Sequence, residues 1–310
     1  MSRMNNMEWE KKGLIFNVEK NSDWMYSHAA VPFAEHVKDD IFRIYFTTRD
    51  RINRSHGAFI DVDIKNPKRI LNISPEPIIK PGPLGSFDDS GTMPTCIVNF
   101  QNQKYLFYQG WTLGVTVPFY VNIGLAISNG PKIGFKKIGA YPLFDRNNSD
   151  PYFTGTGYVD IEGGIWRMWY LSGVMWKITN KFPKHFYNIK YAESNDGIQW
   201  IRKGITCISF KSKEEYAISR PCVIKTSKNF LMFYSYRGGK VTYRIGYAES
   251  NNGIRWTRMD EEIGIDISSH GWDSEMIEYP FVFTHKGSTY MLYNGNEYGR
   301  SGFGYAILKN

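Results

Sequence analysis

A ten-residue segment that returns after 56 residues limits this chain to a repeat architecture. Tyr191-Ala-Glu-Ser-Asn-Asp-Gly-Ile-Gln-Trp200 recurs as Tyr247-Ala-Glu-Ser-Asn-Asn-Gly-Ile-Arg-Trp256. Repetition at such a period marks stacked supersecondary units that share a core. Gly124-Leu-Ala-Ile-Ser-Asn-Gly130 is a looser copy and Gly304-Tyr-Ala-Ile-Leu308 a truncated one. The Asn-Asp-Gly or Asn-Asn-Gly step needs a left-handed backbone and joins two short strands. The Trp then opens an outer strand and packs on the neighbouring unit.

A second element repeats upstream, a strand that ends in Tyr. Tyr45, Tyr108, Tyr170, Tyr234 and Tyr293 stand at spacings of 63, 62, 64 and 59 residues. They read as core positions. Before most of them lies another strand with Pro near its start: Val31-Pro32, Met93-Pro94, Arg220-Pro221 and Tyr279-Pro280, with Gly157-Tyr158 in the third unit. Composition agrees with an all-β chain: 32 Ile against 11 Leu, and 16% aromatics. These residues suit pleated, half-buried surfaces and leave little material for helices.

Five units of about 60 residues make a five-bladed β-propeller in a single domain spanning 1–310. The approximate blades are 28–82, 91–146, 155–211, 218–268 and 275–310. The fifth copy reaches Asn310 without a fourth strand, and Glu8-Trp-Glu-Lys-Lys-Gly-Leu-Ile-Phe16 resembles Gln199-Trp-Ile-Arg-Lys-Gly-Ile-Thr-Cys207. Residues 8–16 are therefore expected to complete the last blade and close the ring, which protects open sheet edges.

Other properties narrow the setting. No apolar run is long enough for a transmembrane helix, and Met1 to Lys12 has no apolar stretch of the secretory kind. Cys96, Cys207 and Cys222 lack metal-type spacing and read as reduced core thiols, which fits the cytoplasm. The net charge of +8 is dispersed. It favours anionic partners such as phosphorylated or nucleotide-activated sugars, or contact with the inner membrane face. No nucleic-acid motif, glycine-rich phosphate loop, serine elbow or zinc motif is present, so no nucleic-acid partner, cofactor or metal is expected.

Strand–Asn-Asp-Gly–Ile-x-Trp blades resemble the five-bladed propeller glycosidases: the arabinanase/xylosidase, invertase/levansucrase and mannoside phosphorylase families. The set is most similar to glycosidase-like propellers of bacterial surface-polysaccharide clusters. The resemblance implies catalytic carboxylates on the axis, at the starts of innermost strands beside Pro. Glu278-Tyr279-Pro280 is similar to the invertase-type Glu-Cys-Pro motif, which implies Glu278 as general acid. Ser219-Arg220-Pro221 keeps only the arginine of Arg-Asp-Pro, and His28-Ala-Ala-Val-Pro32 stands where Asn-Asp-Pro is expected.

The residues that begin innermost strands or follow the Tyr-ended strands should converge on one face. Glu278, Asp88 or Asp89, and Glu275 are the catalytic candidates, because glycosyl transfer needs an acid and a second carboxylate across the sugar. His28, Arg49, Asp50, Trp111, Arg220, Tyr236, Arg237, Asp273, Tyr279, Asn294 and Asn296 are the substrate-binding candidates. Aromatics stack on sugar C–H faces, while amides and guanidinium groups take hydroxyls, phosphate or carboxylate. His56, His185, His270 and His285 are expected on outer loops. Two functions remain: an enzyme acting on a glycosidic or activated-sugar bond by hydrolysis, phosphorolysis or transfer, or a non-catalytic sugar-binding propeller of a polysaccharide assembly.

Overall fold

The computed structural model of the chain describes residues 7–19, 22–129 and 134–309; Gly130 of the looser repeat and Asn310 lie outside them. The molecule is all-β. Its helical exceptions among the described residues are the 3-10 turn Asp260–Glu262 and the short turn Asn296–Gly299.

The strands fall into five antiparallel four-stranded units. Unit one is Ser27–Lys38, Ile41–Arg49, Ser55–Asp63 and Ile70–Ile73. Unit two is Gly91–Phe100, Gln103–Leu113, Phe119–Asn129 and Lys136–Lys137. Unit three is Thr154–Glu162, Ile165–Thr179, Phe182–Ser194 and Trp200–Ile208. Unit four is Glu215–Lys225, Phe230–Gly238, Val241–Ser250 and Thr257–Arg258. Unit five is Glu278–His285, Ser288–Asn294, Phe303–Leu308 and, from the other end of the sequence, Trp9–Phe16. The N-terminal segment thus pairs with the last strand, from Trp9 opposite Leu308 to Phe16 opposite Phe303.

The repeated turn works as its residues dictate. Gly197 and Gly253 take φ of 75° and 74°. The Ser194 hydroxyl accepts the N–H groups of Asp196 and Gly197, and Trp200 Nε1 closes the turn on the Gly197 carbonyl at 2.9 Å. Trp200 then meets Phe107 and Phe144 of unit two, and Trp256 meets Trp169 of unit three. The same Trp both caps its own turn and fills the seam.

Each seam between consecutive units has its own apolar cluster. Phe33, Tyr45 and Phe59 pack with Leu106 and Tyr108 between units one and two. Phe107 and Ile123 pack with Trp166 and Met168 between two and three. Trp169 and Ile189 join Met232 and Tyr234, and Phe233 and Tyr247 join Val282 and Met291. A fifth cluster sets Ile44, Phe46 and Ile60 of unit one against Leu292 and Phe303 of unit five.

All five strand tyrosines are buried. Four of them hold a buried carboxylate. Tyr108, Tyr170 and Tyr293 donate to Asp88, Asp150 and Asp273 at 3.0 Å, and Tyr234 donates to Asp260. Each aspartate is also bridged to a cation: Lys137, Arg202, Lys11 and Arg258 respectively. Tyr45 instead donates to Glu35, which Lys104 bridges.

Candidate active site

The innermost strands share a local distortion that builds the site. Their pairing is bulged at the proline step, or at Gly157 in unit three: between Ala30 and Phe33, Pro94 and Cys96, Gly155 and Tyr158, Ser219 and Cys222, and Glu278 and Phe281. In four units the residue at the bulge is left-handed: Val31 (φ 56°), Thr156 (22°), Arg220 (53°) and Tyr279 (55°). None is Gly, so each holds strain of order 1–3 kcal/mol that the surroundings must impose. Bulges re-aim side chains.

What imposes it is a hydrogen bond from the neighbouring unit. The Val31 N–H donates to Asn294 Oδ1 at 2.8 Å, and the Thr156 N–H to Gln109 Oε1 at 3.2 Å. The Arg220 N–H donates to the Thr156 hydroxyl at 3.2 Å, and the Tyr279 N–H to the Ser235 hydroxyl at 2.7 Å. Asn294 also donates to the Ala29 and Gly302 carbonyls at 2.7 and 2.8 Å. Its amide is consumed in joining unit five to unit one.

At this end of the inner strands lies a cavity of about 320 Å³, the size of a small-ligand site. Trp111, Phe119, Phe153, Tyr187, Tyr243, Tyr279 and Tyr298 form its aromatic wall, and Arg49, His185 and Arg237 bring nitrogen donors. Thr156, Ser219 and Gln109 add polar edges. Arg237 is stacked over Tyr243 at 4.5 Å and bonded to the Tyr298 hydroxyl at 2.8 Å and His185 Nε2 at 3.2 Å. Burial, with the positive charges of Arg237 and Lys184, holds the His185 pKa down to about 4. The imidazole is neutral at pH 7 and can accept from Arg237.

Glu278 and Arg220 are both fully buried, and they lie behind this wall rather than in it. Neither carboxylate oxygen of Glu278 and none of the three guanidinium nitrogens of Arg220 has a hydrogen-bond partner. Burial drives the Glu278 pKa well above the ordinary carboxyl range, and the charge of Arg237 and the nearby Tyr279 hydroxyl only partly oppose it. Tyr187, Tyr243 and Tyr279, three residues of the cavity wall, all lie within electrostatic reach of its carboxyl. Glu278 therefore holds its proton to higher pH than an ordinary carboxyl, one residue from the cavity lining.

The other expected residues divide. Arg49, Trp111, Arg237 and Tyr279 line the cavity. His28 is half-buried beside it; burial, then Arg49 and Arg300, lowers its pKa to about 4. Several residues do not converge there. Asp88 is taken by Tyr108, Lys137 and Ser86. Asp89 caps its own loop, accepting from the Gly85 N–H and the Ser90 hydroxyl. Asp50 fixes the Arg51–Arg54 turn and holds His56 at 3.0 Å. Asp273 is taken by Lys11 and Tyr293. Glu275 is exposed. Asn296 accepts the backbone N–H groups of Glu275 and Met276, and Tyr236 lies against Arg258 at 5.4 Å.

His185, Tyr187, Tyr243 and Tyr298 were not reached by the motif reading. His185 was expected on an outer loop; it sits in a 13-residue strand, Phe182–Ser194, paired to the 15-residue Ile165–Thr179. That extra length carries it over the cavity. The unequal hairpin length was the available signal. Cys96, Cys207 and Cys222 are buried and unbridged. Among the described residues no group of His, Cys, Asp and Glu is placed to hold a metal ion, and no helix is long and apolar enough to cross a membrane.

Comparison with known proteins places this geometry. The chain is 41% identical over 305 residues to Uncharacterized protein Rv1502 of Mycobacterium tuberculosis, covering 98% of this chain and 100% of that one. No protein-family model matches. A glycosyl hydrolase from Bacteroides ovatus superimposes with a TM-score of 0.71 at 15% identity, over 98% of this chain and 94% of that one. A structure of the GH130 family of mannoside phosphorylases, which contains hydrolases that target β-1,2-mannosidic linkages in Candida mannan, gives 0.70 at 15% identity, over 99% and 95%. The α-L-arabinanase of Cellvibrio cellulosa, complexed with arabinohexaose, gives 0.62 at 12%, over 90% and 91%. The fold is that of the propeller glycosidases, as the repeats led one to expect.

Proposed function

This chain belongs to the family of the mycobacterial protein Rv1502, and we propose that it is a carbohydrate-active enzyme that cleaves or transfers at a glycosidic bond with a single protein acid, Glu278. The observation that carries this is a fully buried carboxyl group without a hydrogen-bond partner, set directly behind an aromatic and arginine-lined cavity. A structural carboxylate would be paired, as Asp88 is.

In this reading a sugar ring stacks on Trp111 and the tyrosine wall, and Arg49 and Arg237 hold an anionic group. Glu278 supplies the proton for the departing glycosidic oxygen by way of the neighbouring Tyr279 side chain, which lines the cavity, as the bond to the anomeric carbon breaks. The new bond at that carbon comes from an oxygen of inorganic phosphate or of an acceptor, which the arginines orient. Phosphate suits the site better than water. Among the described residues no carboxylate lines the cavity to activate water, whereas a phosphate brings its own nucleophilic oxygen. The same reading takes the five units as blades of one closed ring; the Phe46–Phe303 contact and the Asn294 bonds to Ala29 and Val31 support it.

The test is a panel of mannosides and arabinosides incubated with and without inorganic phosphate, scored for sugar 1-phosphate. Glu278→Gln should lower turnover by roughly 10²-fold or more and leave sugar affinity intact. Equal turnover in the variant removes Glu278 from the chemistry. One observation favours a second reading, a non-catalytic sugar-binding propeller. Asp88, Asp89, Glu275 and Asp273 all lie away from the cavity. Sugar binding without turnover of any glycoside, with or without phosphate, would select that reading.

A further inference from the structure

The hairpin that carries His185 over the cavity ends in an exposed tip of unusual chemistry. Ile178 and Phe182 are 67% and 75% exposed, and Lys177 and Lys181 stand exposed between and beside them. From Gly163 to Ala192 the chain contains no Asp or Glu. The neighbouring tip, in unit two, is uncharged and apolar: Leu113 is 69% exposed and Val115 fully exposed. The two tips are neighbours, because Phe119 at the base of one meets Trp176 and His185 of the other at 5.4 Å. On the far side a groove adds Lys184, Lys213 and Lys240 against a single acid, Glu214.

Burial explains none of these side chains, since a folded chain gains nothing by extending Ile and Phe into water. Exposed apolar groups gathered in one place mark an interaction surface. Lysines interleaved with them select its partner. Apolar side chains interleaved with a basic collar match the boundary between headgroups and acyl chains of a bilayer. The collar would meet anionic lipid headgroups, where each Lys contributes a factor of about five in affinity.

We propose that the edge of the cavity face formed by the 165–194 hairpin and the adjoining 113–118 tip is a docking surface for an anionic lipid bilayer. Docking there turns the mouth of the cavity toward the membrane, because His185 and Trp176 belong to the same hairpin as the tip.

The test is sedimentation of the full chain with vesicles of phosphatidylcholine alone or mixed with phosphatidylglycerol. The chain should bind the mixed vesicles and not the neutral ones, and added salt should weaken binding. K177E/K181E and I178S/F182S, at exposed sites away from the cavity lining, should each bind at least about tenfold more weakly with an unchanged melting temperature. Equal behaviour toward the two vesicle types would overturn the proposal. So would wild-type binding by I178S/F182S, which would reduce the effect to surface adsorption. Self-association of the wild type that I178S/F182S abolishes, without vesicle binding, would assign the surface to a second copy of the chain and equally overturn it.

Discussion

Asp88 and Glu278 are both buried carboxylates beside an innermost strand, and the sequence offers both as catalytic candidates. Their surroundings differ completely. Asp88 accepts from Tyr108 and Ser86 and is bridged to Lys137. Glu278 has no partner for either oxygen. Burial alone therefore does not mark a working group; unused hydrogen-bonding capacity at a cavity does. A paired carboxylate stabilises the fold and has its hydrogen-bonding capacity taken up by its partners. An unpaired one costs stability and keeps its proton available.

The sharpest way to break the comparison is to remove each group. Asp88→Ala leaves Lys137 and Tyr108 facing a buried void and should cost roughly 3–5 kcal/mol, the loss typical of one partner of a buried pair. Denaturant unfolding measures it. Glu278→Gln should be neutral or stabilising at pH 7. If the two variants are equally destabilised, the distinction between them fails.

How much of this was legible depends on whether a residue's role is local. The blade pattern is local: a Gly-containing turn, a Trp after it and a Tyr-ended strand are each set by a few neighbours, so the repeats showed them. The N-terminal strand could be recognised because residues 8–16 copy 199–207. The roles of Asp88 and Asp273 depend on a tyrosine 20 residues later, as does that of Asp150. That constant offset was readable and was not used. Asn294 looked like a sugar ligand because an amide serves a hydroxyl and a neighbour's backbone equally well. Only the inter-unit register tells which. Register also decided Tyr236, since alternate residues of one strand face opposite sides.

The Asn294 staple gives the next prediction. Asn294→Ala orphans the buried Val31 N–H and loses three hydrogen bonds, two of them between the first and last units, at roughly 2–4 kcal/mol. Gln109→Ala removes one bond to Thr156 and should cost about 1 kcal/mol. A smaller loss for Asn294 than for Gln109 would show that the junction between the chain's two ends is no tighter than an internal one.

A subtler effect lies in pH. The folded pKa of Glu278 is raised, so the folded state keeps a proton that the unfolded chain releases near pH 4.5. The stabilisation from that proton is complete below pH 4.5 and is lost as pH rises toward the folded value. Above pH 4.5 wild-type stability should fall relative to Glu278→Gln by about 1.4 kcal/mol per pH unit until the folded pKa is reached. Parallel stability profiles would mean an unshifted, solvated carboxylate.

The account rests on Glu278 holding its proton at neutral pH, and the infrared spectrum of the folded protein in the carbonyl region reads that proton directly. At pH 7 the wild type should show a protonated-carboxyl band that Glu278→Gln lacks. Wild-type and Glu278→Gln spectra without that difference would mean that Glu278 is ionised, and the single-acid site would be contradicted.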